Sequence, residues 1–241
     1  MDLVPLGTTA DVGRRRPAVA VLPVGSFEQH GPYLPLATDT IVAAAIAGRV
    51  AQAYDVLALP PVTMSCSHEH AAWPGTVSLS HTTVTAIIGD VVESLRAQGI
   101  RRLAIINGHG GNYFLGNVVQ TANAATARSM TLFPSRDDWR RARQAAGLVT
   151  GDHEDMHAGE LEVSILSAVL PSSVRDGAPS SDHVADERPF LLVEGMAAYT
   201  SHGVVGSPSA GTAAKGEALL ASLTESFAAH LRVLTEPSDT R

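Results

Sequence analysis

Apolar and polar positions fall into blocks along this chain, and the spacing within each block alternates between strand-like runs and helical periods. Ala18 to Val24 is a short, Val-containing apolar run closed by Gly25, the mark of a buried strand in a parallel sheet. From Thr40 to Ala53 the positions Ile41, Ala45, Ile46 and Val50 recur at helical spacing, predicting a helix that Thr38 or Asp39 could cap. Val56 to Leu59 predicts a second strand, stopped by Pro60 and Pro61. The alternation then returns. Val84, Ile87, Ile88, Val91, Val92 and Leu95 make one apolar helical face ending at Gly99, and Leu103 to Ile106 predicts a strand ending at Asn107 and Gly108. A further helix is predicted near Leu115 to Ala127 and a strand from Met130 to Phe133. Strands alternating with amphipathic helices indicate an α/β fold whose mostly parallel sheet is covered on both faces. Two segments stand outside this pattern: the polar loop from Met64 to Gly75, and the Ser-, Asp- and Pro-rich stretch from Pro171 to Pro189. Loops of that length in a compact domain usually carry function or move.

Composition narrows the class. A chain of 241 residues with 45% hydrophobic positions can bury its own core, and we read one domain over 1–241, with a few polar residues after Pro237 as its tail. The 24 acidic against 17 basic residues give a net charge of -7, which opposes binding to nucleic acid or to an anionic membrane. Arg14, Arg15 and Arg16 precede the first apolar run as in a signal peptide, but no small-residue cleavage site follows and the run is too short to span a bilayer. The single Cys66 cannot form an internal disulfide, which agrees with a cytoplasmic location.

Three polar clusters then carry the chemistry. Glu28 and His30 follow the first strand, two residues apart and so able to face one cavity from an extended backbone, with Asp39 beyond the prolines of the same loop. The alternative is a solvated turn whose Asp39 caps a helix. The third strand ends in Asn107-Gly108-His109-Gly110-Gly111-Asn112, at the carboxyl edge where sites of open α/β sheets collect. A phosphate-binding turn is the alternative there, weakened by the missing Lys and the wrong glycine spacing. The last cluster runs from Asp152 to Glu160 into an apolar helix that contains Glu162. Asp152, Glu154 and Asp155 read as acids that stabilise a helix start. His157 and Glu160, three apart, would share a helical face and suit a ligand and its neighbour. His and carboxylate groups without a usable cysteine form the ligand set of Zn, Mn or Fe in a hydrolytic centre. Two such ions about 3.5 to 4 Å apart would hold a hydroxide between them and lower the pKa of its parent water toward about 7. No Gly-x-Ser-x-Gly motif occurs, so covalent serine catalysis is the weaker reading.

With these residues in hand, the chain resembles the creatininase (creatinine amidohydrolase) family. The likeness runs in order from PVGSFEQHGPYLPLATDT (23 to 40) through EHAAWPGTVSL (69 to 79), NGHGGN (107 to 112) and HAGELE (157 to 162) to GVVGSPSAGTAAKGE (203 to 217). The resemblance implies a three-layer α/β/α sandwich and two divalent ions per chain, with Glu28 and His109 on one ion, His30 on the other and Asp39 bridging both. It implies that His157 exchanges protons with the substrate nitrogen, and that substrate contacts come from Ser67, Glu69 and His70 and from Gly110, Gly111 and Asn112. Creatininase itself carries a tyrosine and a metal-binding glutamate where Gly110 and Gly111 stand here, and a tryptophan near the place of His153. The carboxylate missing at Gly111 is expected from Glu160, with Glu162 left to packing. The NGHGGN form is similar to formamide deformylases of flavin and deazaflavin biosynthesis and to peptidases that trim the precursor peptide of mycofactocin. The expected activity is therefore hydrolysis of a C–N bond in a small cyclic amide or formamide, with a peptide as the alternative substrate. A binding or assembly protein that keeps the fold without turnover is the alternative from another class. The resemblance further implies a homo-oligomer, commonly a hexamer, with Met196 to Tyr199 as a contact or as core.

Overall fold

In a computed structural model, which describes residues 3–236 and so leaves the tail after Pro237 outside, the chain builds a four-stranded parallel sheet in the order β2-β1-β3-β4. A short helix α1 (Thr9–Arg15) precedes strand β1 (Val19–Val24), followed by helix α2 (Thr38–Ala53), strand β2 (Leu57–Ala58) and helix α3 (His81–Ala97). Strand β3 (Arg102–Asn107), helix α4 (Leu115–Ala125), strand β4 (Met130–Phe133) and helices α5 (Arg136–Ala145) and α6 (Glu160–Val169) continue the chain. The single turn α7 (Leu191–Glu194) and the long helix α8 (Ala213–Thr235) complete it. The expected strands and the helices between them are present, each within a few residues of the sequence reading. Helices α5 and α8 were not expected. The highly charged sequence of α5 hides its one buried face, and α8 is recognisable only through Leu219, Leu220, Leu223 and Phe227, which are buried at helical spacing.

Alternate residues of each central strand point to opposite faces, so the sheet separates two cores. Val19 and Val21 of β1 and Ala104 and Ile106 of β3 pack with α2, α6 and α8. Ala20, Leu22 and Val24 and their neighbours Leu103 and Ile105 pack with α3 and α4. These are the three layers anticipated from the family likeness. Among the described residues no helix is long and apolar enough to cross a membrane.

The strand order positions the site. From β1 the chain passes to β2 on one side, then crosses back to β3 on the other, so β1 and β3 flank the switch point where ligands enter such sheets. Val24 pairs with Asn107 at their last rung, and the two loops that follow leave the sheet side by side. Glycines at 25 and 108 start these loops, because a Cβ on Gly25 would overlap the Thr40 backbone and one on Gly108 the Asp39 carbonyl. The first turn of α2 thus sinks into the crevice. Asp39 does not cap that helix, whose N-cap is Ala37 with no side-chain bond; it lies inside the first turn and faces the switch point.

Candidate metal centre

Four of the residues expected at the ions converge. Asp39 is buried, with Oδ1 3.2 Å from His30 Nε2 and Oδ2 2.9 Å from His109 Nδ1. Ser26 Oγ donates to Oδ2 at 2.6 Å and fixes the carboxylate between the two rings. Glu28 is fully buried, and its Oε2 lies 3.2 Å from His109 Nε2. His30 donates from Nδ1 to the Glu28 carbonyl at 3.1 Å, which leaves the Nε2 lone pair directed at Asp39 and, 3.7 Å away, Glu162 Oε1.

Glu160, expected as the replacement ligand, lies elsewhere. Its carboxylate accepts from the backbone N–H groups of Val149 and Thr150, from Thr150 Oγ1 at 2.6 Å and from Lys215 Nζ at 2.5 Å. The carboxylate that reaches His30 and Asp39 is Glu162. The reason is where the helix begins. His157 is outside it, paired in an antiparallel bridge with Val205, while Ala158 turns back at φ 55° and Gly159 is the N-cap. Helical spacing counted from His157 therefore does not apply, and a step of two residues, about 200° around the axis, exchanges the two carboxylates. Asp155 supports this start, accepting from the Glu160 N–H at 2.6 Å and the Leu161 N–H at 3.0 Å, in keeping with its structural reading. Gly159 packs against it so closely that a Cβ there would overlap Asp155 Oδ1.

Two groups of three side chains share Asp39: Glu28, Asp39 and His109, and His30, Asp39 and Glu162. His157 joins Glu28 and His30 in a third. Their charges conflict without a cation. Burial raises Glu28 to about 7 against the pull of His109, and burial likewise raises Glu162 against the pull of His30. For His109 burial disfavours the cation, but Glu28 and Asp39 outweigh it and hold the ring up at about 10; His30 is raised in the same way by Asp39 and Glu162. Asp39, despite its burial, is held well below the usual carboxylate range by His30 and His109. Both Glu28 oxygens are buried without a well-formed hydrogen bond, an arrangement that is costly unless a cation sits against them. The donor set of carboxylate and imidazole fits a divalent ion such as zinc or manganese.

The expected substrate residues divide. Glu69, Gly110 and Gly111 line open space, whereas Ser67, His70 and Asn112 are buried and line neither of the two large cavities beside the centre. His70 instead stands behind Glu28, with Nε2 3.2 Å from Glu28 Oε1 and Nδ1 accepting from Gln29 Nε2 at 2.8 Å. Burial and the neighbouring His30 and His109 push it down to about 3, so it is a neutral ring packed beside the carboxylate. Asn112 donates to Asn107 Oδ1 at 3.0 Å and ties its own turn together. The buried Gln29, which sequence reasoning passed over, also donates to the Gly203 carbonyl at 3.1 Å and so connects the first motif to the last. Met196 is wholly buried in the chain's own core.

One cavity of about 540 Å³ reaches His109, His157 and Glu162 between α5 and α6, and a second of about 510 Å³ reaches Glu69 and Gly111 from the side of α7. His157 donates from Nε2 to the Gln29 carbonyl at 2.7 Å, leaving Nδ1 toward the centre. Burial, with His30 and His70 nearby, holds this ring well below its ordinary pKa and therefore neutral.

A doubly wound parallel sandwich with a buried carboxylate and imidazole centre at its switch point defines a class of metal-binding α/β proteins. The chain belongs to the creatininase family: the family description, creatinine amidohydrolase, matches residues 7–231. It is a hydrolase acting on C–N bonds. It is 33% identical over 225 residues to the mycofactocin precursor peptide peptidase of Mycolicibacterium smegmatis, covering 89% of this chain and 84% of that protein. To the creatinine amidohydrolase of Pseudomonas putida it is 33% identical over 99 residues, 39% of this chain and 38% of the other. A mutant creatininase in a Zn-Zn form superposes with a TM-score of 0.80 at 24% identity, over 98% of this chain and 100% of that structure.

Proposed function

We propose that the protein is a two-metal amidohydrolase whose substrate amide is part of a peptide. The observation that carries the reading is Asp39, shared by the two ligand groups so that its two oxygens can serve neighbouring ions. Glu28 and His109 would hold one ion, and His30 and Glu162 the other. When bound, the ions supply Lewis acidity, lowering the pKa of a water and polarising a carbonyl. The chain's own residues do the rest. Ser26 keeps the Asp39 carboxylate in place, His70 packs beside that of Glu28, and the Gln29 carbonyl holds the His157 ring with its Nδ1 free. From the wall of the larger cavity His157 would take a proton at Nδ1 and return it to the departing nitrogen.

Two observations favour a peptide over a small cyclic amide. The sequence likeness to the mycobacterial peptidase extends along nearly the whole chain, while the sequence likeness to creatinine amidohydrolase is confined to a part, although the fold is shared throughout. The cavities also flank the His109 to Gly111 turn on both sides, giving room for substrate on either side of the reacting amide. Expected in assay is cleavage of an internal amide in a panel of unstructured peptides by zinc- or manganese-loaded protein, abolished by chelation and restored by the metal. Turnover of creatinine or a formamide with every peptide untouched would move the substrate to the small-amide class. Full metal loading with neither activity would defeat the hydrolytic assignment of this centre.

A further inference from the structure

The larger cavity has an opposite wall that the hydrolytic centre does not use. Helix α5 begins at a capping box in which Ser135 Oγ and the Asp138 side chain each bond the other's backbone, and it presents Arg136, Arg140 and Arg143 to the cavity. These positions, spaced i, i+4 and i+7, lie on one helical face, with Trp139 beside them. Arg141 faces away, paired with Asp138. Across from the arginines the same cavity reaches His109, His157 and Glu162, with Leu148, Met156 and Leu161 as apolar lining.

The acids of this cavity are mostly committed. Asp155 accepts from backbone N–H groups of Glu160, Leu161 and Ser207, and Glu162 belongs to the candidate centre. Arg143 is fixed by the Thr150 carbonyl at 3.2 Å and by Asp155, so it braces the wall. Arg136 makes no ion pair or hydrogen bond among the described residues, and Arg140 has only the exposed Asp137 at 2.6 Å. Such surface pairs hold their partners weakly, so both guanidinium groups can turn to a ligand. Asp152, at the mouth, is the one acid left against them.

We propose that Arg136 and Arg140 form a carboxylate-binding wall of the active-site cavity, selecting substrates that carry an anionic group in the segment lying along α5. Guanidinium groups match a carboxylate with paired, charge-assisted hydrogen bonds, and Trp139 supplies a flat apolar surface for the stem that carries it. The carboxylate can come from an acidic side chain or from a free C-terminus. The inference rests on the reading that the amide is cleaved at the Asp39 centre, but it can be tested without turnover.

The test is isothermal titration of the metal-loaded protein with short N-acetylated, C-amidated peptides. One carries glutamate, its counterpart carries glutamine, and a third is the glutamine peptide with a free C-terminal carboxylate. At least one carboxylate peptide is expected to bind about tenfold more tightly than the neutral one, and which of the two does so identifies the source. The advantage should shrink as salt rises and vanish in the Arg136→Ala/Arg140→Ala protein. It should persist in Asp39→Asn, which disables the centre but not the wall. Equal binding of all three peptides, or an advantage that survives the double substitution, overturns the proposal. Peptide cleavage without carboxylate preference would remove the wall and leave the hydrolase; carboxylate preference without any cleavage would do the reverse.

Discussion

Glu160 and Glu162 leave the same turn of α6 and meet opposite surroundings. Glu160 is wholly buried yet satisfied, surrounded by the Val149 and Thr150 N–H groups, a hydroxyl and the Lys215 ammonium. Those donors outweigh its burial and hold its carboxyl below the ordinary value. Glu162 accepts from the Ala158 N–H at 2.6 Å and otherwise faces His30 and Asp39, and burial pushes its carboxyl up. One carboxylate has every partner it needs from the protein. The other is short of positive charge in a place where three acids crowd together. Chemical type and sequence neighbourhood are the same, so the difference in role comes from what each oxygen can reach.

The largest effect should follow from Glu162→Gln. A neutral amide is a poor substitute for a charged oxygen ligand, so this variant is expected to lose one ion and more than about 10²-fold in turnover, beyond what a supporting residue costs. Its folding should be nearly intact, as followed by thermal unfolding beside metal analysis. A fully loaded, active Glu162→Gln protein would erase the distinction between the two carboxylates.

Glu160→Gln should behave in the opposite way, keeping its metals while losing about 2 to 3 kcal/mol of stability, because Lys215 is left without its partner. The pH dependence sharpens this. With its folded-state pKa below the ordinary 4.5, Glu160 contributes stability that is fully present above that value and is lost as pH falls through the lowered one. Denaturant titrations of wild type and Glu160→Gln should therefore differ most at neutral pH and converge progressively below about pH 4.5. A gap that stays constant into acid would mean that the charge of Glu160 is not what stabilises this corner.

The sequence made the sheet and most of the centre legible for one physical reason. Strand β1 and strand β3 are continuous apolar runs, and residues that follow parallel strands emerge at one edge, so Glu28, His30 and His109 could be brought together from spacing alone. Asp39 was recognised as a group of the site, although its alternative reading as a helix cap failed because the helix starts at Thr38 with Ala37 as its N-cap, which places Asp39 inside the first turn. Glu160 and Glu162 could not be distinguished in this way. Their faces depend on the φ of Ala158 and on Gly159 as the N-cap, two backbone choices that no periodicity reveals. The arginine wall was hidden for a related reason: α5 has few apolar positions, and only its cap and its packing against α8 make it a helix.

Anomalous X-ray diffraction at the zinc edge, from crystals of the zinc-loaded protein, tests the central claim most directly. The account predicts two peaks sharing Asp39, one bounded by Glu28 and His109 and the other by His30 and Glu162. A second peak ligated by Glu160, or none in contact with Glu162, would contradict it.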